Sequence, residues 1–307
     1  MKILLLGKNG QVGQALERAL APLAGPGELV ALDRTNGGDL AQLDTLATTV
    51  RQLLPQVIVN AAAYTAVDKA ESEPDQARLI NALAPEVLAK EAQALGAWLV
   101  HYSTDYVFDG TGTRPWQETD PTAPLNVYGQ SKLEGELRVQ AACARHLILR
   151  TSWVYAAHGS NFAKTMLKLS QERERLTVID DQWGAPTGAE LLASVTAAAI
   201  EKTILAGNDA LAGLYHLAAS GETNWHAYAS HVIRQAKALR PDLPWAVHEI
   251  APVPSSDFVT AARRPHNSRL DTRKLQAAFG IHLPGWQQGV DDMLAQVLTS
   301  TPSKSNS

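Results

Sequence analysis

An α/β fold is what the sequence predicts: a doubly wound parallel sheet of the Rossmann type with a smaller C-terminal substrate-binding lobe. Three observations carry this expectation. Apolar runs of strand length alternate with helical patterns, giving an expected six strands within about the first 150 residues. The first run leads straight into a glycine-rich turn. Beyond that point the alternation loosens, and Pro and Trp residues gather between Pro241 and Pro265. Residues 1–150 are therefore read as a dinucleotide-binding domain. Residues 151–300 are read mainly as a substrate-binding lobe that can return strands to the core sheet, and 301–307 as a frayed polar tail.

Ile3-Leu4-Leu5-Leu6 is continuously apolar, as a strand buried on both faces must be. It feeds Gly7-Lys8-Asn9-Gly10-Gln11-Val12-Gly13, and a helical pattern then runs through Val12, Leu16, Ala19 and Leu20. Strand, glycine turn and helix in that order allow close backbone approach to a pyrophosphate at the helix N-terminus. The spacing is G-x-x-G-x-x-G, not the G-x-G-x-x-G of many dinucleotide folds. Glu28 to Leu32 is the second strand, ending at Asp33-Arg34. An acid about 20 residues past the glycine turn is placed to hold a ribose diol. Asp33 favours NADH and Arg34 favours NADPH, so the choice between the two cofactors stays open. Gly38-Asp39-Leu40 precedes a helix from about Leu43 to Leu54, with Asp39 a candidate cap or adenine-side contact.

Gln56 to Val59 is the third strand and opens into Asn60-Ala61-Ala62-Ala63-Tyr64-Thr65, small residues that let a flat ligand lie near the backbone. A long helix is expected from Glu71 to Leu95. Trp98 to Tyr102 is the next strand and ends in Ser103-Thr104-Asp105. That end is the edge where open parallel sheets bind ligands, so Thr104 can hydrogen-bond a reacting carbonyl. His146 to Arg150 is a further strand. Helices are then expected near Phe162–Arg173, Ala189–Leu205, Trp225–Leu239 and Trp286–Leu298, with short strands near Leu176–Ile179 and Leu214–Leu217.

Between the last two core strands lies Asn126-Val127-Tyr128-Gly129-Gln130-Ser131-Lys132. Pro124 and Asn126 suit a helix start, and the four-residue spacing puts Tyr128 and Lys132 on one face. An ammonium beside a phenol is expected to lower its pKa and make Tyr128 an acid or base near neutral pH.

Composition bounds the partners. The chain has 307 residues, 19% of them charged, and a formal net charge of −4. That balance points away from nucleic acid and from anionic membranes. The N-terminal apolar run is too short for a signal-peptide core, and no stretch reaches membrane-spanning length. The single cysteine, Cys143, is expected to be a small core residue of a cytoplasmic protein.

The combination of Gly7-x-x-Gly10-x-x-Gly13, Asn60-Ala-Ala-Ala, Ser103-Thr104-Asp105 and Tyr128-x-x-x-Lys132 resembles the extended short-chain dehydrogenase/reductase family. Longer strings carry the likeness from Met1 to about residue 300: Ser103 to Phe108, Pro124 to Gly129, Arg150 to Tyr155, Asp181 to Thr187 and Arg263 to Ser268. The closest resemblance is to members that reduce the C4 ketone of a dTDP-4-keto-6-deoxy-sugar, yielding dTDP-L-rhamnose. It implies that Tyr128 protonates the product oxygen, Lys132 holds the nicotinamide ribose and Thr104 polarises the ketone. It puts Gly10, Gln11 and Val12 at the cofactor pyrophosphate, Asp33, Asp39 and Leu40 at the adenosine, and Ala63, Tyr64, Thr65 and Tyr102 along the cofactor cleft. Thr104, Asp105, Tyr128, Trp153, Asn161 and Arg264 would meet the dTDP-sugar. Related dehydratases carry a Glu where Tyr106 stands, which favours ketone reduction over elimination. Some family members hold Mg2+ between subunits through clustered glutamates. Glu190 matches one such position and Ala15 occupies another, so the resemblance leaves Mg2+ and a homodimer open. An epimerase or a non-catalytic regulatory subunit on the same scaffold are the alternatives.

Overall fold

The computed structural model describes residues 1–299; the expected frayed tail, 301–307, lies outside them. Its centre is a six-stranded, all-parallel sheet. In chain order the strands are β1 (Ile3–Leu6), β2 (Leu29–Leu32), β3 (Val57–Asn60), β4 (Trp98–Thr104), β5 (His146–Thr151) and a sixth from the second half of the chain. The spatial order puts that sixth strand first, followed by β5, β4, β3, β1 and β2. The chain reverses direction across the sheet between β1 and β3, the kind of point where open α/β sheets bind ligands.

Period-two alternation sorts the strand side chains onto two buried faces. Ile3, Leu5, Val57, Val59, Val100, Leu147 and Leu149 join one core. Leu4, Leu6, Ile58, Leu99 and Ile148 join the other. The second face is covered by α2 (Leu43–Leu53), α3 (Ala84–Leu95) and α4 (Val127–Ala142). The first is covered by α1 (Gln11–Ala24) and by helices contributed later in the chain.

Those later elements start with α5 (Phe162–Glu172) and β6 (Arg175–Ile179), and continue with α6 (Ala189–Ile200) and β7 (Gly213–His216). They end with α7 (Trp225–Leu239), β8 (Glu249–Val253), α8 (Arg273–Phe279) and α9 (Trp286–Thr299). Helix α6 packs on α1, and β7 pairs with β5 as the sixth strand of the core sheet. The first 150 residues thus supply five strands, not six. Helix α8 joins the sheet core through Leu275 and Phe279, while α5, α7 and α9 form a separate apolar core around Met166, Tyr228, Val232, Trp286 and Leu294, edged by the parallel pair β6–β8.

The expected helix from Glu71 begins at Pro74, whose missing N–H suits a first turn. It runs on through a π-helical turn, Leu79–Leu83, before α3. No helix among the described residues is long and apolar enough to cross a membrane. Cys143 is buried and unpaired, as expected of a core residue.

Candidate active site

The carboxyl ends of β1, β3, β4 and β5 bring most of the predicted residues to one edge of the sheet. Gly10 caps α1 with no side-chain hydrogen bond, so the first-turn N–H groups of Gln11, Val12 and Gly13 are not met by a capping side chain. A Cβ on Gly13 would lie 2.0 Å from the Gly7 carbonyl oxygen. Only a glycine lets helix and turn close to this distance, and the result is a cradle of backbone N–H groups suited to a phosphate. Gln11 reaches across to the second half of the chain, its Oε1 accepting from Asn161 Nδ2 at 3.0 Å.

At the end of β2 the Asp33 carboxylate accepts from Asn9 Nδ2 at 2.7 Å and from the Thr35 hydroxyl at 2.6 Å, with Lys8 Nζ 3.7 Å away. The Thr35 hydrogen bonds hold it below the usual carboxylate range. Arg34 is exposed beside it. Asp39 accepts the Ala41 N–H at 3.0 Å in a turn ahead of α2, whose N-cap is Gln42, so it does not cap the helix as a candidate cap would, while Leu40 is buried in the core beneath α2. Ala63 and Thr65 are exposed along the loop after β3. The Tyr64 hydroxyl donates to Glu73 at 2.8 Å, so its ring tip is turned onto the π-helical segment's neighbour and not into open space.

Helix α4 starts where the spacing predicts. Asn126 accepts the Gly129 N–H at 2.8 Å, and its amide donates to the Arg263 carbonyl at 2.7 Å, tying the helix start to the lobe. The helix sits close to the π-helical turn before α3, where a Cβ on Gly135 would lie 2.1 Å from the Asn81 carbonyl. Asn81, on the π-helical turn, donates to the Ser131 hydroxyl and to the Tyr64 carbonyl, and accepts the Tyr64 N–H. It therefore locks α4 to the loop after β3. Sequence reasoning gave Asn81 no role, because the contact joins segments 17 and 50 residues apart.

Tyr128 is half-buried, and desolvation pushes its phenol up to about 12; the Thr104 hydroxyl works against that shift. The ring meets Tyr106 edge-on at 5.7 Å. Thr104 donates to Asp105 Oδ1 at 3.2 Å. Asp105 Oδ2 is buried without a hydrogen-bond partner. Burial raises this carboxyl to about 7, with the nearby Ser268 and Thr104 hydroxyls opposing. Lys132 is not among the groups that move the Tyr128 phenol, which corrects the expected lowering by a neighbouring ammonium. Its Nζ instead donates to the Tyr102 carbonyl at 2.6 Å. The Tyr102 ring points to the opposite face of the sheet, where its hydroxyl pairs with Thr196 of α6 at 2.5 Å. Tyr102 thus serves the site through its backbone, not through its side chain.

Trp153 follows β5 with a φ of 50°, a left-handed conformation rare for so large a residue. It stacks on Trp225 at 3.7 Å, with Gly184 against its ring. Asn161 caps α5 through Oδ1 while Nδ2 holds Gln11 and the Ala156 carbonyl, so its polar atoms are committed to packing. Arg264 is forked onto Asp68 across the cleft edge and lies near Tyr106. Glu190 is exposed and paired with Arg18. Among the described residues no three His, Cys, Asp or Glu side chains gather as a metal would need.

The same architecture recurs in known proteins. The family model described as the RmlD substrate binding domain matches residues 1–299. The chain belongs to the RmlD substrate binding domain family. Among RmlD relatives, the dTDP-4-dehydrorhamnose reductase of Shigella flexneri is 56% identical over 304 residues, covering 98% of this chain and 99% of its own. The crystal structure of a dTDP-4-dehydrorhamnose reductase from Clostridium acetobutylicum has a TM-score of 0.87 at 33% identity, covering 97% of this chain and 99% of that one. The Bacillus anthracis reductase, solved in complex with NADP, has a TM-score of 0.85 at 33% identity, covering 96% and 100%. The RmlD fold is thus shared along almost the whole chain, lobe included.

Proposed function

We propose that this chain reduces the C4 ketone of dTDP-4-dehydrorhamnose to dTDP-L-rhamnose with NADPH or NADH. The observation that carries the reading is the meeting of Thr104 and a protonated Tyr128 at the carboxyl edge of β4, beside a glycine cradle, in a chain 56% identical to a reductase of that name. The cofactor, when bound, supplies the hydride. The residues that would hold it are the α1 N-terminus at the pyrophosphate, Asp33 at the adenosine ribose, and Lys132 at the nicotinamide ribose.

Hydride addition turns the ketone oxygen into an alkoxide, which needs a hydrogen-bond donor and then a proton. A phenol at about 12 keeps its proton until an alkoxide appears. Tyr128 is therefore a donor suited to reduction, and Thr104 shares the polarising hydrogen bond. The unpartnered Asp105 Oδ2 is free to accept a sugar hydroxyl. Arg264 stands near Tyr106 at the cleft edge, and Trp153 sets the lobe wall through Trp225.

The direct test is a coupled assay that generates the keto-sugar nucleotide in situ and follows NADPH and NADH oxidation separately. Oxidation of either, with dTDP-L-rhamnose as product, is expected. Folded protein that binds cofactor but oxidises neither would sink the assignment. Cofactor that stays bound through dialysis without net oxidation would point to an epimerase.

Two further outcomes follow from the cofactor residues. Gly13→Ala forces α1 away from the turn, and a loss of dinucleotide affinity of about tenfold or more is expected by calorimetry. An unchanged affinity would show that the cradle does not carry the phosphates. Asp33→Ala removes a charged acceptor from the ribose end while leaving Lys8 and Arg34. It should lower kcat/KM for NADH about tenfold more than for NADPH; equal losses would remove Asp33 from cofactor choice.

The proposed assembly is a homodimer through the face around Glu190, where Tyr155, Trp286, Met293 and Asp292 line a cavity of 630 Å3. A monomer mass by sedimentation at micromolar concentration would exclude it. The cytoplasm is the proposed compartment, a reading supported by the unpaired Cys143.

A further inference from the structure

Lys132 is 2% exposed. Besides its bond to the Tyr102 carbonyl, its Nζ stands 3.4 Å from Nε2 of His101, itself 1% exposed. The other ring nitrogen, Nδ1, lies 3.2 Å from Asn60 Nδ2. The Asn60 amide is oriented by its far end, where Oδ1 accepts the Ala62 N–H at 3.1 Å. An amide NH2 only donates, so His101 Nδ1 is the bare, accepting nitrogen. A neutral imidazole in that state carries its proton on Nε2, aimed at Lys132. An ammonium has no lone pair to receive it; an amine has.

We infer that Asn60 and His101 form a positioning pair for Lys132: Asn60 locks the imidazole tautomer, and the locked Nε2–H favours the neutral amine. The inference rests on the reading of Lys132 as part of the reductase machinery. Burial and the Lys132 charge hold His101 well below the usual histidine range, so it stays neutral. Burial draws Lys132 down to about 8, against the attraction of Glu136. The charged and titratable groups around Lys132 are His101 on β4, Tyr128 and Glu136 one turn away on α4, and Arg150 on β5. Arg150 takes the Glu136 carboxylate in two hydrogen bonds of 2.8 and 2.6 Å.

Nitrogen-15 NMR of the full chain tests the lock, with His101 assigned by its loss in His101→Gln. A protonated Nε2 and a bare Nδ1 are expected. A protonated Nδ1, or an imidazolium at neutral pH, overturns the inference. Asn60→Asp replaces the donor by an acceptor, and the tautomer should invert, offering the ammonium a lone pair. With carbon-13-labelled lysine, and Lys132 assigned through Lys132→Met, its titration is expected to rise by about one pH unit in Asn60→Asp. Because an added carboxylate also attracts the ammonium directly, the same change is made in a His101→Leu background. There only the direct attraction should remain, giving a clearly smaller rise, and a rise of equal size would refute the pair. Neither reading uses turnover, so a missing reductase activity would count against the proposed function alone. If Asn60→Asp does not fold, the tautomer of the wild-type imidazole still decides between the two outcomes.

Discussion

Tyr128→Phe is expected to lower kcat about 100-fold or more while leaving cofactor affinity near the wild-type value. The change deletes one oxygen from a half-buried ring. The T-shaped contact with Tyr106 and the helix start at Asn126 do not depend on that oxygen. Folding should therefore survive, and the loss should be chemical. Steady-state kinetics together with cofactor titration separates the two effects. Near-normal turnover would remove Tyr128 from the mechanism and shift attention to Asp105, whose carboxyl at about 7 is the other buried acid beside Thr104.

The second large effect concerns stability. Glu136 is 1% exposed on α4, and Arg150 meets it from β5, also near-fully buried and 5.0 Å over the Phe108 ring. Arg150→Met leaves a carboxylate in the core without its partner, and a loss of about 3–5 kcal/mol in denaturant unfolding is expected. The deficit has a definite pH sign. An unpaired buried carboxylate is relieved by taking up a proton, so the variant should lie closest to wild type in acid and furthest from it in mild alkali. A loss below about 1 kcal/mol would mean that the pair is balanced by its own desolvation. A double change, Glu136→Leu with Arg150→Met, should recover much of the loss, since two apolar side chains bury without a stranded charge.

Local chemistry made much of this molecule legible in the sequence. Ile3 to Leu6 reads as a strand because every position is buried. The Gly7 to Gly13 turn and the Asn126 cap act within a few residues of themselves, so their spacing is enough. What the sequence left unread is non-local. A short strand near Leu214 and a return of strands to the core sheet are open to a sequence reading, but β7 pairs with β5 from more than 60 positions away, and nothing in Gly213 to His216 names that partner. Strand β8 contains Pro252, which argues against a strand until β6 is seen as its only partner among the described residues. The Tyr–Lys spacing predicted a common helix face correctly, but not that Tyr102 and His101 would occupy the Lys132 amine. The family resemblance puts Tyr102 by the cofactor cleft, and its ring goes to the other face because side chains alternate along a strand.

The place of β7 has a consequence for recombination between homologues. Residues 152–212 leave the sheet and come back to complete it, bringing α6 against α1 on the way. A crossover at residue 150, the boundary that sequence alone suggests, would graft a foreign edge strand and a foreign partner for α1 onto the native sheet. A chimera meant to exchange only sugar specificity is better built from two exchanged blocks on either side of α6 and β7, with those two elements kept from the parent that supplies α1.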